Sequence, residues 1–432
     1  MSTAAAEHRR VPFAEAVRHR RLANGARLYV LENRFNPTLA LSGTLSAGRI
    51  YAPAERRLIA SLTAGELMKG TARRTKLQLA EDLESRAASL SFASDASDPV
   101  GVDISGACLS RDTDLLFEAL LEVLRTPVFP DDELEREKKR LVGSIRQQQD
   151  QTSVRAFEDA MRRIYPPQHP LHRNTGPERI ERVESLTRGD LEGFYRARYG
   201  AASLILVVAG DVEADRVLDT LERGLSDWPS GPDPAIPPAA PPAASPGSHT
   251  VRMPDKASAD VVMAAPSNLR RTDPEYLAAS LANSSLGQSS LTSRLGVRVR
   301  DIEGLTYGIH SSFGATHVPG PFLISVTVKP EMRDAAVAST LDETSKFLRE
   351  GMTARELAEE KSSRAGRFQV DLGSNAGIAQ AVDAAVGYGF GVSYLDEFPV
   401  KVASITKEQA DDAFRKRVRV EDLTIVSAGT FV

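Results

Sequence analysis

Two polar side chains stand seven positions apart in the stretch 286–313, LGQSSLTSRLGVRVRDIEGLTYGIHSSF: the guanidinium of Arg300 and the phenol of Tyr307. The stretch reads as a run of small residues, a short basic helix, the breaker Gly304, and a strand beginning near Tyr307. A guanidinium and a phenol brought together across a tight helix-to-strand turn can both donate hydrogen bonds to one carbonyl or developing oxyanion. Periodicity by itself offers plainer places: Arg300 solvated near a helix C-terminus, Tyr307 a half-buried strand aromatic. Other reactive residue types are scattered. The seven histidines, at 8, 19, 169, 172, 249, 310 and 317, form neither H-E-x-x-H nor H-x-x-E-H. His169 and His172 are separated by Pro170, which places them in a loop. The one cysteine, Cys108, excludes an intramolecular disulfide and a Cys-based zinc cage and reads as a small buried hydrophobe. Ser61 lies in SLTAG rather than a G-x-S-x-G elbow, with no histidine close in sequence, so a serine nucleophile has little support.

What must hold these residues is large. The chain has 432 residues, 41% hydrophobic, enough for two to four packed domains. Its 54 basic and 58 acidic residues nearly cancel, so no nucleic-acid or acidic-lipid partner is expected. No apolar run reaches the roughly 18 residues of a membrane helix, so no membrane partner is expected either. The segment MSTAAAEHRRVPF has basic residues but no apolar stretch after them. A cytoplasmic location is expected, or a periplasmic one if an export signal was removed.

Residues 228–247, WPSGPDPAIPPAAPPAASPG, carry eight of the 25 prolines, so this run reads as a semi-rigid, extended linker. The domains expected are an N-terminal half over 1–228, the Pro/Ala-rich linker 229–247, and a C-terminal half over 248–432. The linker predicts halves that move as rigid bodies about it. The halves resemble each other. Residues 186–210 match 405–429 at a constant offset of 219: a Thr-capped helix, then an apolar strand ending at Ala209-Gly210 and Ala428-Gly429. The same offset pairs 58–62 with 277–281, and the charged helices around Glu133-Leu134 and Glu356-Leu357 pair at a slightly different one. A duplicated α+β unit of about 200 residues follows. Within it, 21–32 reads as a hairpin turning at Asn24-Gly25. Strand runs follow near 37–48, 90–107, 261–264, 305–313 and 322–329. Helices are expected over 57–69, 76–88, 112–124, 131–150, 157–164, 274–286, 333–350 and 353–368. Leu77, Leu79, Ala80 and Leu83 form the expected apolar stripe of the second helix.

These patterns resemble the pitrilysin and mitochondrial-processing-peptidase family of zinc peptidases over nearly all of 20–432. The similarity is carried by NGARLYVLEN near the start, Lys69-Gly70-Thr71, Tyr165-Pro166 with His169-Pro170, Phe194-Tyr195 with Tyr199, Gly210-Asp211, and Ser293-Arg294-Leu295 with Arg300 and Gly304-Leu305-x-Tyr307. Active members carry H-x-x-E-H on a helix just before the Lys-Gly-Thr, plus a downstream glutamate ligand. Here the five positions are Ser61, Leu62, Thr63, Ala64 and Gly65, and the downstream ligand falls at Gly143-Ser144-Ile145. Ser61, Ala64, Gly65 and Ser144 cannot hold zinc, which takes imidazole, thiolate or carboxylate. Arg300 and Tyr307 match the family's arginine–tyrosine pair, which the resemblance implies holds the substrate carbonyl across a subunit interface.

The fold expected is thus α+β, two homologous sandwich halves related by a pseudo-twofold and forming half of a clamshell. The function expected is the non-metal subunit of a heterodimeric zinc peptidase. It would have no cofactor of its own, with the zinc in a homologous H-x-x-E-H-bearing partner, as a heterodimer or a dimer of heterodimers acting on peptides. The chain would be inactive alone. A purely structural or binding subunit is the other expectation.

Overall fold

The protein is described by a computed structural model covering residues 11–94, 98–243, 245–289 and 291–431. His8 and residues 1–10, on which the expectation about an export signal rests, lie outside the described residues.

The first sheet takes β1 (Val17–Arg21), β2 (Arg27–Glu32), β3 (Thr38–Leu45), β4 (Ser89–Ser94), β5 (Val102–Leu109) and β6 (Leu204–Gly210) in the order β1-β2-β6-β3-β5-β4. The second takes β7 (Gly247–Arg252), β8 (Ala259–Leu269), β9 (Thr306–Phe313), β10 (Gly320–Val328) and β11 (Thr424–Gly429) in the order β7-β11-β8-β10-β9. Apart from the extra edge strand β1, the two orders are the same series. In each, a parallel pair (β2 with β6, β7 with β11) is followed by antiparallel neighbours. The repeat read from the sequence is therefore a repeat of topology. Its best-matched segment folds alike in both copies. Thr187 and Thr406 each close a capping box, with Asp190 and Gln409, on helices Arg188–Arg198 and Lys407–Arg417. Each cap is worth about 1 kcal/mol.

Most expected elements form within a few residues of their predicted bounds. The hairpin turns where Asn24-Gly25 requires, with Gly25 at φ +99°. Two local expectations fail. Leu77 is 77% exposed, so the stripe of helix Lys76–Glu84 rests on Leu79 and Leu83. The helix expected from 157 begins earlier, as Thr152–Ile164.

Each half stacks most of its own helices on one face of its own sheet, as expected. The opposite faces are covered by exchange. Helix Thr152–Ile164 of the first half lies on β8 and β11, where Ala156, Ala160, Met161 and Ile164 pack against Val262, Ala264, Val426 and Ala428. Helix Asn375–Gly387 of the second half lies on β3 and β6, where Ile378, Ala379, Val382 and Val386 pack near Ile205, Val207 and Ala209. Polar ties repeat the pattern: Thr152 Oγ1 donates to Asp260 at 2.6 Å, and Asn375 Nδ2 donates to the Thr38 carbonyl at 3.1 Å. Strand β6 is consequently buried on both faces, which explains its unbroken apolar run LILVVAG. The linker is no simple hinge. Tyr51 bonds the Pro234 carbonyl and the Ala243 N–H bonds the Ile164 carbonyl, while the halves interlock through two apolar clusters.

Candidate functional site

The short basic helix predicted before Gly304 forms as a π-helical turn, Gly296–Ile302. Its arginines divide their tasks. Just upstream, Arg294 holds Glu356 at 2.7 Å and lies 4.9 Å from the Phe347 ring centroid. Arg298 pairs with Glu303, Asp342 and Glu343 at 3.1, 2.6 and 3.2 Å. These two fix the turn to the body. Among the described residues Arg300 has only the adjacent Asp301, at 3.6 Å, and its side chain is 32% exposed. Such a contact at a wet surface contributes little, so the guanidinium is available.

Gly304 then reverses the chain at φ +64°, with its N–H bonded to the Arg300 carbonyl at 3.1 Å. Strand β9 starts with an irregularity. Thr327 pairs with Gly308 and Val328 with Thr306, so Tyr307 is the extra residue of a bulge. The Thr306 hydroxyl pins it: its oxygen lies 2.5 Å from the Thr327 carbonyl and accepts the Gly308 N–H at 3.0 Å. The bulge turns Tyr307 outward until it is 90% exposed. A phenol this exposed gains nothing for the core. Arg300 and Tyr307 line one hollow of about 390 Å³ with Gly304, Lys329 and Met332. Both groups are donors, so the hollow suits an acceptor oxygen. Ile302, 74% exposed, adds an apolar neighbour beside them in sequence. Sequence reasoning missed Lys329 and Met332. The signal was the antiparallel pairing of 305–313 with 322–329, which brings the end of β10 beside the start of β9.

The positions that the resemblance aligns with a metal site are also placed. Ser61, Ala64 and Gly65 lie on helix Leu58–Glu66, and Ser144 on helix Asp131–Gln149. The two helices meet where Leu58 packs on Val142 and Ile145. The scaffold that would carry ligands is thus assembled. Its side chains do not fit a zinc ion. Ser61 Oγ bonds back to the Leu58 carbonyl at 3.0 Å. Gly65 faces open space, where an added Cβ meets nothing within 4 Å. Ala64 is buried in the first-half core. Ser144 Oγ accepts only a long contact, 3.4 Å, from Gln148. Among the described residues, no group of three or more His, Cys, Asp or Glu could hold a metal. Next to Gly65, Glu66 is fully buried, both its carboxylate oxygens lack a hydrogen-bond partner among the described residues, and burial pushes its pKa up to about 7. His169 and His172 sit in the loop expected of them. His169 stacks on Tyr165 and accepts the Leu171 N–H at 3.0 Å, and burial, with Arg57 nearby, lowers its pKa to about 4.

Comparison with known proteins accounts for this combination. Residues 185–364 match the sequence family described as "Peptidase M16 inactive domain". The crystal structure of a peptidase M16 inactive domain from Pseudomonas fluorescens superposes with a TM-score of 0.87 at 26% identity, covering 96% of this chain and 98% of that one. The chain is thus similar to the peptidase M16 inactive domain in sequence over 185–364 and in fold over nearly its whole length. A relative of similar length is the "Non-peptidase homolog YmxG" of Helicobacter pylori, 22% identical over 419 residues, 95% of this chain and 94% of that protein. The "Probable mitochondrial-processing peptidase subunit beta" of Arabidopsis thaliana is 23% identical over 50% of this chain and 40% of its own length. A fold similar to that of the M16 inactive domain is therefore present, and no helix among the described residues is long and apolar enough to cross a membrane.

Proposed function

We propose that this chain is the non-metal subunit of a two-chain M16 peptidase, in the cytoplasm or the periplasm. A homologous partner with an intact H-x-x-E-H motif would supply the zinc and the attacking water for peptide hydrolysis. This chain would supply Arg300 and Tyr307 across the interface, where both donate hydrogen bonds to the substrate carbonyl and to the oxyanion that forms from it. One observation carries the reading. The bulge at Tyr307 presents a 90% exposed phenol in one hollow with Arg300, whose ion pair is weak, while Arg294 and Arg298 are tied to the body by closer ones. A second reading, a purely structural or binding subunit, is favoured by the full-length similarity to a protein named a non-peptidase homolog.

Peptide hydrolysis by this chain, by an H-x-x-E-H-bearing partner, and by their mixture separates the two. Activity only in the mixture, reduced about 100- to 1,000-fold by Arg300→Ala or Tyr307→Phe, is the expected result. Mixture activity indifferent to both substitutions leaves a scaffold, and zinc-independent activity from this chain alone overturns both.

A further inference from the structure

A second hollow, of about 250 Å³, lies between helices Ala354–Asp371 and Asn375–Gly387 and shares no residue with the Arg300 hollow. Its walls are apolar, with Phe368, Ala381, Leu395 and Phe398 among them. Its charged lining is lopsided: Arg271, Arg364 and Arg367 against Asp371. Among the described residues none of these three arginines forms an ion pair. Arg364 donates to hydroxyls instead, Ser280 Oγ at 2.8 Å and Ser284 Oγ at 3.4 Å. Arg271 donates to the Tyr276 phenol and lies 4.5 Å from that ring's centroid. Burial chiefly, and the like charges of Arg271 and Arg367, hold Arg364 below its ordinary pKa against the pull of nearby Glu360.

Arg271 and Arg364, half-buried at an apolar hollow and held by no ion pair among the described residues, leave donors free for an arriving carboxylate. The aromatic side of the hollow is also built. In the run 387–391, GYGFG, Gly389 and Gly391 adopt φ of +79° and +80°, conformations that other residues rarely adopt. This turn brings Tyr388 and Phe390 to the hollow, and Phe390 stacks on Tyr394 with centroids 4.5 Å apart.

We infer that the hollow binds a carboxylate carried on an apolar or aromatic group, the rings and alanines taking the apolar part and Arg271, Arg364 and Arg367 the charge. A C-terminal residue of a peptide and a free aromatic acid share this chemistry. The site needs neither a partner subunit nor Arg300, so its test is independent of the peptidase reading.

Isothermal titration calorimetry of the full chain would use N-acetyl-leucyl-phenylalanine, its C-terminal amide, 3-phenylpropionate and inorganic phosphate. Saturable binding of the dipeptide acid is expected, with the amide and phosphate at least about tenfold weaker. Arg271→Gln and Arg364→Met should each weaken binding by a similar factor, and Ala381→Leu should block it by filling the hollow, whereas Arg300→Ala should leave it intact. Equal binding of 3-phenylpropionate identifies a site for free acids; preference for the dipeptide identifies a peptide C-terminus. The inference fails if acid and amide bind alike, if phosphate matches them, or if neither acid binds by about 10 mM. It also fails if Ala381→Leu binds normally, a check that stands even where an arginine variant does not fold.

Discussion

His317 Nδ1 stands 2.5 Å from Asp98 Oδ2, and the two residues come from corresponding turns, the one before β10 and the one before β5. The duplicated halves thus touch each other at like positions. His317 also stacks on Tyr388, with centroids 4.2 Å apart. Burial opposes charging of His317, but the Asp98 hydrogen bond and charge outweigh it and hold its pKa above the ordinary 6.5. Burial likewise opposes charging of Asp98, whose pKa is nevertheless drawn below 3.8 by the bond to His317.

The sign of the pH effect follows. A raised histidine contributes stability that is complete below its unfolded value of 6.5 and is lost as pH rises through its folded value. A lowered aspartate contributes stability present above 3.8 and lost as pH falls through its folded value. The pair is therefore most stabilising between about pH 4 and pH 6.5. Thermal unfolding of His317→Gln should show a flatter pH dependence from pH 6 upward than the parent. An unchanged slope would mean that His317 is not charged in the folded protein.

Asp383 adds a second, separable contribution of the same sign. It sits on the exchanged helix Asn375–Gly387 and accepts bonds from Ser42 at 2.9 Å and Thr44 at 3.2 Å. Burial pushes its pKa up from 3.8 to about 7. The unfolded chain gives up this proton first as pH rises, so stability is lost between about pH 4 and pH 7. A shift of that size corresponds to at most roughly 4 kcal/mol. Asp383→Asn should match the parent near pH 4 and exceed its unfolding midpoint at pH 8. A midpoint at pH 8 equal to or below the parent's would refute this.

Cutting the linker should not part the halves. A protease site placed within 235–241 and cleaved should leave two fragments that co-elute in gel filtration, because Met161 and Ile378 lie in separate apolar clusters that bridge the halves. Met161→Asp combined with Ile378→Asp should release them, each burying a charge without a partner. Separation after cleavage of the unsubstituted protein would show that the linker, not the exchanged helices, ties the halves.

Thr306 offers a way to disturb Tyr307 without touching it. Thr306→Val keeps the shape but removes the hydroxyl that pins the bulge to Thr327 and Gly308. If the pair acts in peptide hydrolysis, turnover by the mixed subunits should fall roughly 10- to 100-fold while subunit association holds. Undiminished turnover would argue that the bulge does not position the phenol.

The sequence made some of this plain and concealed the rest for physical reasons. Turns and caps were legible because their chemistry is local: Asn24-Gly25 names its hairpin, and Thr187 and Thr406 name their helix starts. The reversal between Arg300 and Tyr307, which line one hollow, was legible because Gly304 marks it. Helix exchange was not, since Thr152–Ile164 would show the same apolar stripe whichever sheet it covered. Leu77 was misplaced for a related reason, because a periodic stripe does not say where the neighbouring surface ends. The arginine hollow escaped notice because Arg271 and Arg364 are distant in sequence and meet only in three dimensions.

The exchanged helices also govern how the chain can be born. Helix Thr152–Ile164 needs β11 for its seat, and β11, at Thr424–Gly429, leaves a ribosome only after all of residues 165–423. The apolar face of that helix, and the face of β6 awaiting residues 375–387, must therefore wait uncovered through much of synthesis. Neither half can finish folding on its own schedule, and loss of strand β11 would leave oily surface bare in both.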